Sequence, residues 1–293
     1  MINICQTSLF VKVCDEILLL KKSEIKELIT SKRLRLGNLS IQEYLTLSIL
    51  YQFSQFKNLK GFYYSISKKD YPKLPGYARF ILNTNKFYAL VKYILENYLH
   101  DFQQELGFID STKLETSSIH HHGKVYNHDS KILAASSKGY SSTGEFRGFK
   151  FHALINSNGL LARFLITTAK TNDLAIIKNG FLSGVTGKIY ADSGYVSREV
   201  FYDLQSENLY FIAKPKQSMM ENNELGLGYL PDWKINFAKQ YKKRISIERM
   251  FAYLKRHFCL NPSGFHSQKG FLNNLFSCLL AYQWKKLNIL PTA

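Results

Sequence analysis

Cysteine is scarce in this sequence: only Cys5, Cys14, Cys259 and Cys278 occur in 293 residues. They stand far apart and make no C-x-x-C pair, which argues against a zinc ribbon or a dense disulfide framework and suits a reduced, intracellular protein. Long apolar runs are missing too. Lys12, Asp15 and Glu16 interrupt the N-terminal hydrophobic stretch, so neither a signal peptide nor a membrane anchor is expected, and the cytoplasm is the expected compartment. The third scarcity is negative charge. Asp and Glu number 22 against 39 Lys and Arg, leaving a formal charge of +17. The excess is spread along the chain, which predicts a polyanionic partner rather than a membrane. Internal repeats and low-complexity segments are absent as well.

What is present suffices for a full core, since 45% of the residues are hydrophobic, and the length admits one large domain or two ordinary ones. The 19 Tyr and 21 Phe are assigned to core packing, except for Tyr241, where stacking on a base is considered. Residues 1–105 read as a helical, DNA-binding domain. Ser40 and Glu43 are spaced as a capping box ahead of Ile41, Leu45, Ile49 and Phe53 on one helix face. The basic run from Lys32 to Arg35 and the turn-rich KKDYPKLPGYARF tilt this part towards DNA, although no spacing singles out a reading helix.

Residues 106–293 read differently. GFIDSTKLET is a short apolar run meeting a carboxylate, which predicts a strand with Asp110 near its C-terminal end, followed by a long polar loop. His120, His121 and His122 in that loop lack partners at a ligand spacing and read as a solvated segment. FRGFKFHALINS and LLARFLITTA are two strands joined by Asn158-Gly159, a strong hairpin signal. Thr171, Asn172 and Asp173 carry capping chemistry for a helix to about residue 182. KIYADSGY then gives a buried strand ending at Asp192, Ser197 caps a further helix, and LYFIAKP makes another strand. A polar loop with Gly226 and Gly228 leads to YKKRISIERMFAYLKRHF, and QKGFLNNLFSCLLAYQWKKL forms a closing amphipathic helix.

The stretch from Tyr241 to Phe258 contains no Gly or Pro and predicts a continuous helix. At about 100° per residue, Tyr241, Arg244, Glu248 and Lys255 share one face and Ile247, Phe251, Leu254 and Phe258 an adjoining apolar one. Arg244 and Glu248 are also spaced for an ordinary i,i+4 pair. Asp110, Asp192 and Glu248 would repel one another if brought together, and their hard oxygens select Mg²⁺ or Mn²⁺ over zinc. Two such ions support in-line phosphodiester displacement. Each Asp also has an ordinary reading as a turn residue.

FIDST, ADSGY and the spacing Y-x₂-R-x₃-E-x₆-K over Tyr241, Arg244, Glu248 and Lys255 resemble the insertion-sequence transposases with an Asp-Asp-Glu triad and a Tyr-Arg-Glu-Lys motif. GFKFH at 148–152 and TND at 171–173 also match strand and turn positions of that family. The resemblance covers residues 106–258. It implies an α/β fold, a ribonuclease-H-like mixed sheet flanked by helices and preceded by an all-helical N-terminal domain. It further implies that Asp110, Asp192 and Glu248 are catalytic and hold two Mg²⁺ or Mn²⁺ ions, and that Tyr241, Arg244 and Lys255 contact DNA. Lys150 and His152 lie on a strand beside the site and are added as DNA contacts. The implied activity is cleavage at transposon terminal inverted repeats and strand transfer to target DNA, by a homodimer or higher assembly in the nucleoid. The competing readings are a transposase-derived DNA-binding protein without chemistry, and a ribonuclease-H-like nuclease without strand transfer.

Overall fold

The structure is a computed structural model that describes residues 5–29, 39–117, 135–141, 144–195, 197, 199–200, 204, 208–213, 244–260 and 267–290. The His120–His122 tract, Gly226, Gly228 and Tyr241 lie outside the described residues. No helix among the described residues is long and apolar enough to cross a membrane. The chain forms two compact units: residues 1–98, 115–135 and 253–293 make one, residues 99–114 and 136–252 the other.

In the first unit all described elements before residue 99 are helical: α1 (Gln6–Leu18), α2 (Lys22–Leu28), α3 (Ile41–Phe53), α4 (Leu59–Ser65), α5 (Tyr77–Thr84) and α6 (Tyr88–Glu96). The capping box read from Ser40 and Glu43 starts α3. The Glu43 N–H donates to Ser40 Oγ at 3.2 Å and the Ser40 N–H to Glu43 Oε2 at 2.6 Å, which satisfies two of the four orphan donors of a helix start. The last helix, α9 (Gln268–Lys286), packs along α6 and α3.

The sequence pattern predicts an amphipathic α9, yet the helix is buried almost continuously from Gly270 to Trp284. The Asn274 amide goes inside because it finds partners there, whereas Ser277 Oγ and Trp284 Nε1 are buried without a hydrogen-bond partner among the described residues. Gln52 Nε2 donates to Asn274 Oδ1 at 2.9 Å, Asn274 Nδ2 to the Cys259 carbonyl at 2.6 Å, and the Cys259 N–H to Gln52 Oε1 at 3.2 Å. A closed ring of three bonds removes most of the cost of burying amides.

The second unit is built on a mixed sheet. Its strands are β1 (Glu105–Ser117, the last three residues of which belong to the first unit), β2 (Ser137–Ser141), β3 (Gly144–Asn156), β4 (Leu161–Thr168), β5 (Gly187–Ala191) and β6 (Leu209–Ala213). The order is β2-β3-β1-β5-β6, with β4 also on β3. β2 pairs antiparallel with the first part of β3 and β4 with the second, whereas β1, β5 and β6 are parallel neighbours. Asn158-Gly159 makes the β3–β4 turn: Gly159 has φ +81°, and Asn156 Oδ1 accepts the N–H groups of Asn158 and Leu160 at 3.0 and 2.9 Å.

Alternation along β1 sends its side chains to two buried faces. Ile109 joins Leu154, Ile189 and Phe211 in a core that includes Ile176 and Ile177 of the short helix α7 (Asp173–Lys178). On the other face Phe108 meets Tyr190, and Phe151 of β3 meets Phe251 edge-on at 5.9 Å. Phe251 belongs to α8 (Ile245–His257), whose first two turns cover this face. Gly187 opens β5 with φ +113°, and a Cβ there would lie 2.4 Å from the Glu105 carbonyl oxygen. Gly187→Ala should therefore cost about 3 kcal/mol or more from backbone strain and lost β1–β5 pairing, read as a fall in urea midpoint at unchanged m-value.

Candidate active site

The parallel register of β1 and β5 decides where the two aspartates meet. Phe108 pairs with Tyr190, and two residues further, on the same face of each strand, come Asp110 and Asp192. Asp110 is not at the end of its strand, as the sequence pattern predicts. It stands inside β1, just past the point where β1 parts from β5, because β1 runs on to Ser117. Asp192 does follow its strand directly and opens a 3-10 turn, Ser193–Tyr195, with the Ser193 N–H on its Oδ1 at 2.6 Å and the Tyr195 N–H on its carbonyl at 3.0 Å.

Glu248 sits in the first turn of α8, and Arg244 immediately precedes that helix. One guanidinium joins two of the carboxylates: Arg244 Nη1 donates to Asp110 Oδ2 at 2.9 Å and Nη2 to Glu248 Oε1 at 2.8 Å. The i,i+4 pair expected of a surface helix is thus present, but its cation also reaches the sheet. The Asp110 side chain keeps 17% of its surface and that of Arg244 12%, while Glu248 keeps 51%. Burial pushes the Asp110 carboxyl up to about 6, with the charges of Asp192 and Glu248 adding to the rise and Arg244 and the Ser111 N–H opposing it. Arg244 thus offsets only part of the cost of burying the carboxylate.

Lys150 and His152, which the sequence offers as DNA contacts or as paired strand residues, are both engaged within the protein. His152 has no exposed surface and lies between the Tyr195 hydroxyl at 3.2 Å and Thr167 Oγ1 at 2.9 Å. Burial pushes it down to about 4, so it is neutral at pH 7. The Lys150 ammonium donates to the Thr171 carbonyl at 2.9 Å and to Asp173 Oδ1 at 3.1 Å. Asp173 also accepts from Ser111 Oγ at 3.3 Å and faces Gly194, whose Cβ would come within 3.3 Å of Oδ2. This half-buried carboxylate therefore braces the residues that follow both Asp110 and Asp192. Sequence reasoning read Asp173 only as capping chemistry. A lysine and a histidine two apart on a strand with no apolar alternative were the signal of a buried acceptor. Lys150→Met should leave Asp173 without its cation and lower stability by about 1–3 kcal/mol, measured by urea unfolding at pH 7.

Lys255 lies in the last turn of α8, about 10 Å along the axis from Glu248. A cavity of about 650 Å³ opens at the opposite edge of the sheet, lined by Glu105, Thr186, Lys188 and Tyr210 among others, and takes no part in the carboxylate site.

A family model described as a transposase DDE domain matches residues 101–267. The chain belongs to the DDE transposases. The matched stretch contains Asp110, Asp192, Arg244 and Glu248, so the residues gathered at the β1–β5 edge and the start of α8 fall inside the family domain. No curated protein matches the chain. Membership carries a transposase function, with DNA as the substrate and divalent metal ions as the family's general cofactors.

Among the described residues no three His, Cys, Asp or Glu side chains form a group that would hold a metal ion as they stand. The donor set nevertheless suits one. It is made of carboxylate oxygens alone, and burial pushes Asp110 towards its neutral form even with Arg244 beside it. A hard divalent cation answers both conditions. Shared coordination by Asp110 and Glu248 requires Arg244 to leave the space between them, where its guanidinium now serves as the counter-ion.

Proposed function

We propose that this chain is the transposase of an insertion sequence, cutting DNA at the element's terminal inverted repeats and joining the freed 3′-hydroxyl to target DNA. The observation that carries the reading is the pairing of Arg244 with both Asp110 and Glu248, with Asp192 at the matching position of the neighbouring parallel strand, where sites of α/β sheets gather. The strand order and directions support a ribonuclease-H-like sheet, with residues 1–105 as a helical DNA-binding domain and residues 106–293 as the catalytic domain.

In this reading Asp110, Asp192 and Glu248 hold two Mg²⁺ or Mn²⁺ ions. When bound, such ions activate the attacking hydroxyl and neutralise the leaving oxygen of an in-line displacement. Arg244, displaced from Asp110, is free to hold a non-bridging phosphate oxygen, and Lys255 binds the backbone further along. Tyr241 is proposed against the same backbone or a displaced base. Asp173, with Lys150, keeps the two aspartate-bearing segments in place. Assembly as a homodimer or higher oligomer on paired ends follows from the need to act on two ends at once.

One observation favours a second reading, a DNA-binding protein without chemistry: Arg244 already neutralises two of the carboxylates, as it would in a site that no longer takes metal. The two are separated by incubating the protein with Mg²⁺ and a duplex carrying the terminal repeats. The transposase reading expects nicking and joined product from wild type and none from Glu248→Gln. Binding without nicking in both proteins would establish the second reading. Nicking without joined product would leave a nuclease.

A further inference from the structure

Between α3 and the first turn of α5 the first unit carries a concentration of positive charge to which the proposed chemistry gives no role. Residues 56–79 contain Lys57, Lys60, Lys68, Lys69, Lys73 and Arg79 against the single carboxylate Asp70. All six cations are exposed. None is in an ion pair with a described carboxylate, whereas Lys12 and Lys92 of the same unit hold Glu16 and Glu96. Like charges crowded this closely repel one another and disfavour the compact state. An external polyanion removes that cost.

The backbone gives the patch a rigid centre. On α4, Lys60 and Tyr64 are four residues apart and share a face. Tyr64 is 69% exposed. Its ring lies edge-on to Tyr63 at 5.2 Å and near-parallel to Tyr77 at 6.3 Å. The Tyr63 hydroxyl donates to the Pro75 carbonyl at 2.8 Å, tying α4 to the turn that leads into α5. Gly76 caps α5 without a side-chain acceptor for its first N–H groups, and Arg79 stands at the third position of that helix. The surface offers donors without matching acceptors: ammonium groups, a guanidinium, a phenol hydroxyl and helix-start N–H groups. A row of phosphate oxygens is the complementary partner.

We propose that this face, with Lys57, Lys60, Tyr64, Lys68, Lys69 and Arg79, grips the phosphate backbone of duplex DNA, Tyr64 serving as the fixed contact at its centre. The proposal rests on the reading of the chain as one that acts on DNA, and it identifies the surface of the helical unit through which that unit engages DNA. The sequence assigned the aromatics of this part to core packing. Tyr64 departs from that assignment because its side chain stays largely exposed.

The test uses the full chain and a fluorescent duplex, with anisotropy read between about 50 and 200 mM salt. Wild type is compared with Lys60→Gln/Lys68→Gln/Lys69→Gln and with a charge-matched control, Lys22→Gln/Lys26→Gln/Lys188→Gln, whose residues are exposed outside the patch. The patch variant should lose about 0.9 in salt slope for each phosphate released, close to three units in all, and bind about tenfold or more weakly. The control should shift the slope by less than about one unit. Tyr64→Ala, which leaves the charge untouched, should weaken binding about fivefold. Equal shifts in patch variant and control, or none in the patch variant and Tyr64→Ala, would overturn the proposal. Mg²⁺-dependent nicking by wild type, scored in the same samples, keeps that failure separate from failure of the transposase reading. A wild type that neither binds nor nicks DNA sinks both.

Discussion

Asp110→Asn should give a protein that is more stable than wild type in the absence of metal and that has lost DNA cleavage by about a thousandfold or more. The two effects have one cause. The Asp110 carboxyl moves from an ordinary 3.8 to about 6 on folding. Between those values the folded chain keeps a proton that the unfolded chain has released. The group's contribution to stability is therefore fully present below about pH 4 and is lost as pH rises through about 6. At pH 8 the gap corresponds to a penalty of about 3 kcal/mol, borne by wild type and absent from an amide, which keeps the shape and the neutral charge of the protonated carboxyl and, like it, has one fewer acceptor for Ser111 and Arg244. Urea unfolding in a chelator should show the variant ahead by about 2–3 kcal/mol at pH 8, with the advantage vanishing towards pH 4. Added Mg²⁺ should stabilise wild type by mass action and leave the variant nearly unmoved. A difference between the proteins that stays constant with pH would mean that Asp110 does not titrate in the folded chain.

The second large effect belongs to Arg244→Met, and it has the opposite sign. Removing the guanidinium leaves Asp110, which is mostly buried, beside Asp192 and Glu248 with no cation. Breaking a buried pair from one side costs about 3–5 kcal/mol, and the partial exposure of this site argues for about 2–4. Most of the loss should trace to Asp110, since Glu248 keeps 51% of its surface and water screens it. The loss should shrink at pH 5, where Asp110 is largely protonated, and Mg²⁺ should restore part of it at pH 8. Combining Asp110→Asn with Arg244→Met should cost less than the sum of the separate changes, with a coupling of about 1–3 kcal/mol. Strict additivity in that cycle would show that the two side chains do not interact in solution.

The two variants also bear on how a cluster of carboxylates is kept folded by one arginine. Three carboxylates at one sheet edge are costly when alone, and the chain places one arginine where it can neutralise two of them. If divalent cations bind here, Asp110 and Glu248 would hold them and Arg244 would turn from the carboxylates towards phosphate. A Glu248→Gln protein, which keeps the Arg244–Asp110 contact, should then bind DNA and fail to cut it.

Much of this was readable in the chain because it depends on neighbours in sequence. The Ser40–Glu43 spacing starts α3, Asn158-Gly159 turns β3 into β4, Asn172 accepts the Leu174 N–H at the head of α7, and Ser197 Oγ accepts the Val200 N–H. The polar and apolar faces of the helix that carries Arg244 and Glu248 also follow from periodicity alone. Other expectations failed because burial is not local. Lys150 and His152 look like surface groups on a strand until Asp173, Thr167 and Tyr195 are brought beside them. The amides of α9 look like a solvated face until Gln52 and the Cys259 carbonyl meet them.

The sequence by itself determined most of the elements that hold the residues proposed to carry the chemistry, an Asp on each of two strands and a Glu on a basic helix, because capping, turn chemistry and side-chain period act over a few residues. Only the tertiary structure decided that Asp110 lies inside a long strand, that Arg244 spans two carboxylates, that Asp173 braces the site from beneath, and that α9 packs among the N-terminal helices. Those outcomes depend on which strand lands beside which and on where charge loses its water, and both are settled by contacts between residues far apart in the chain.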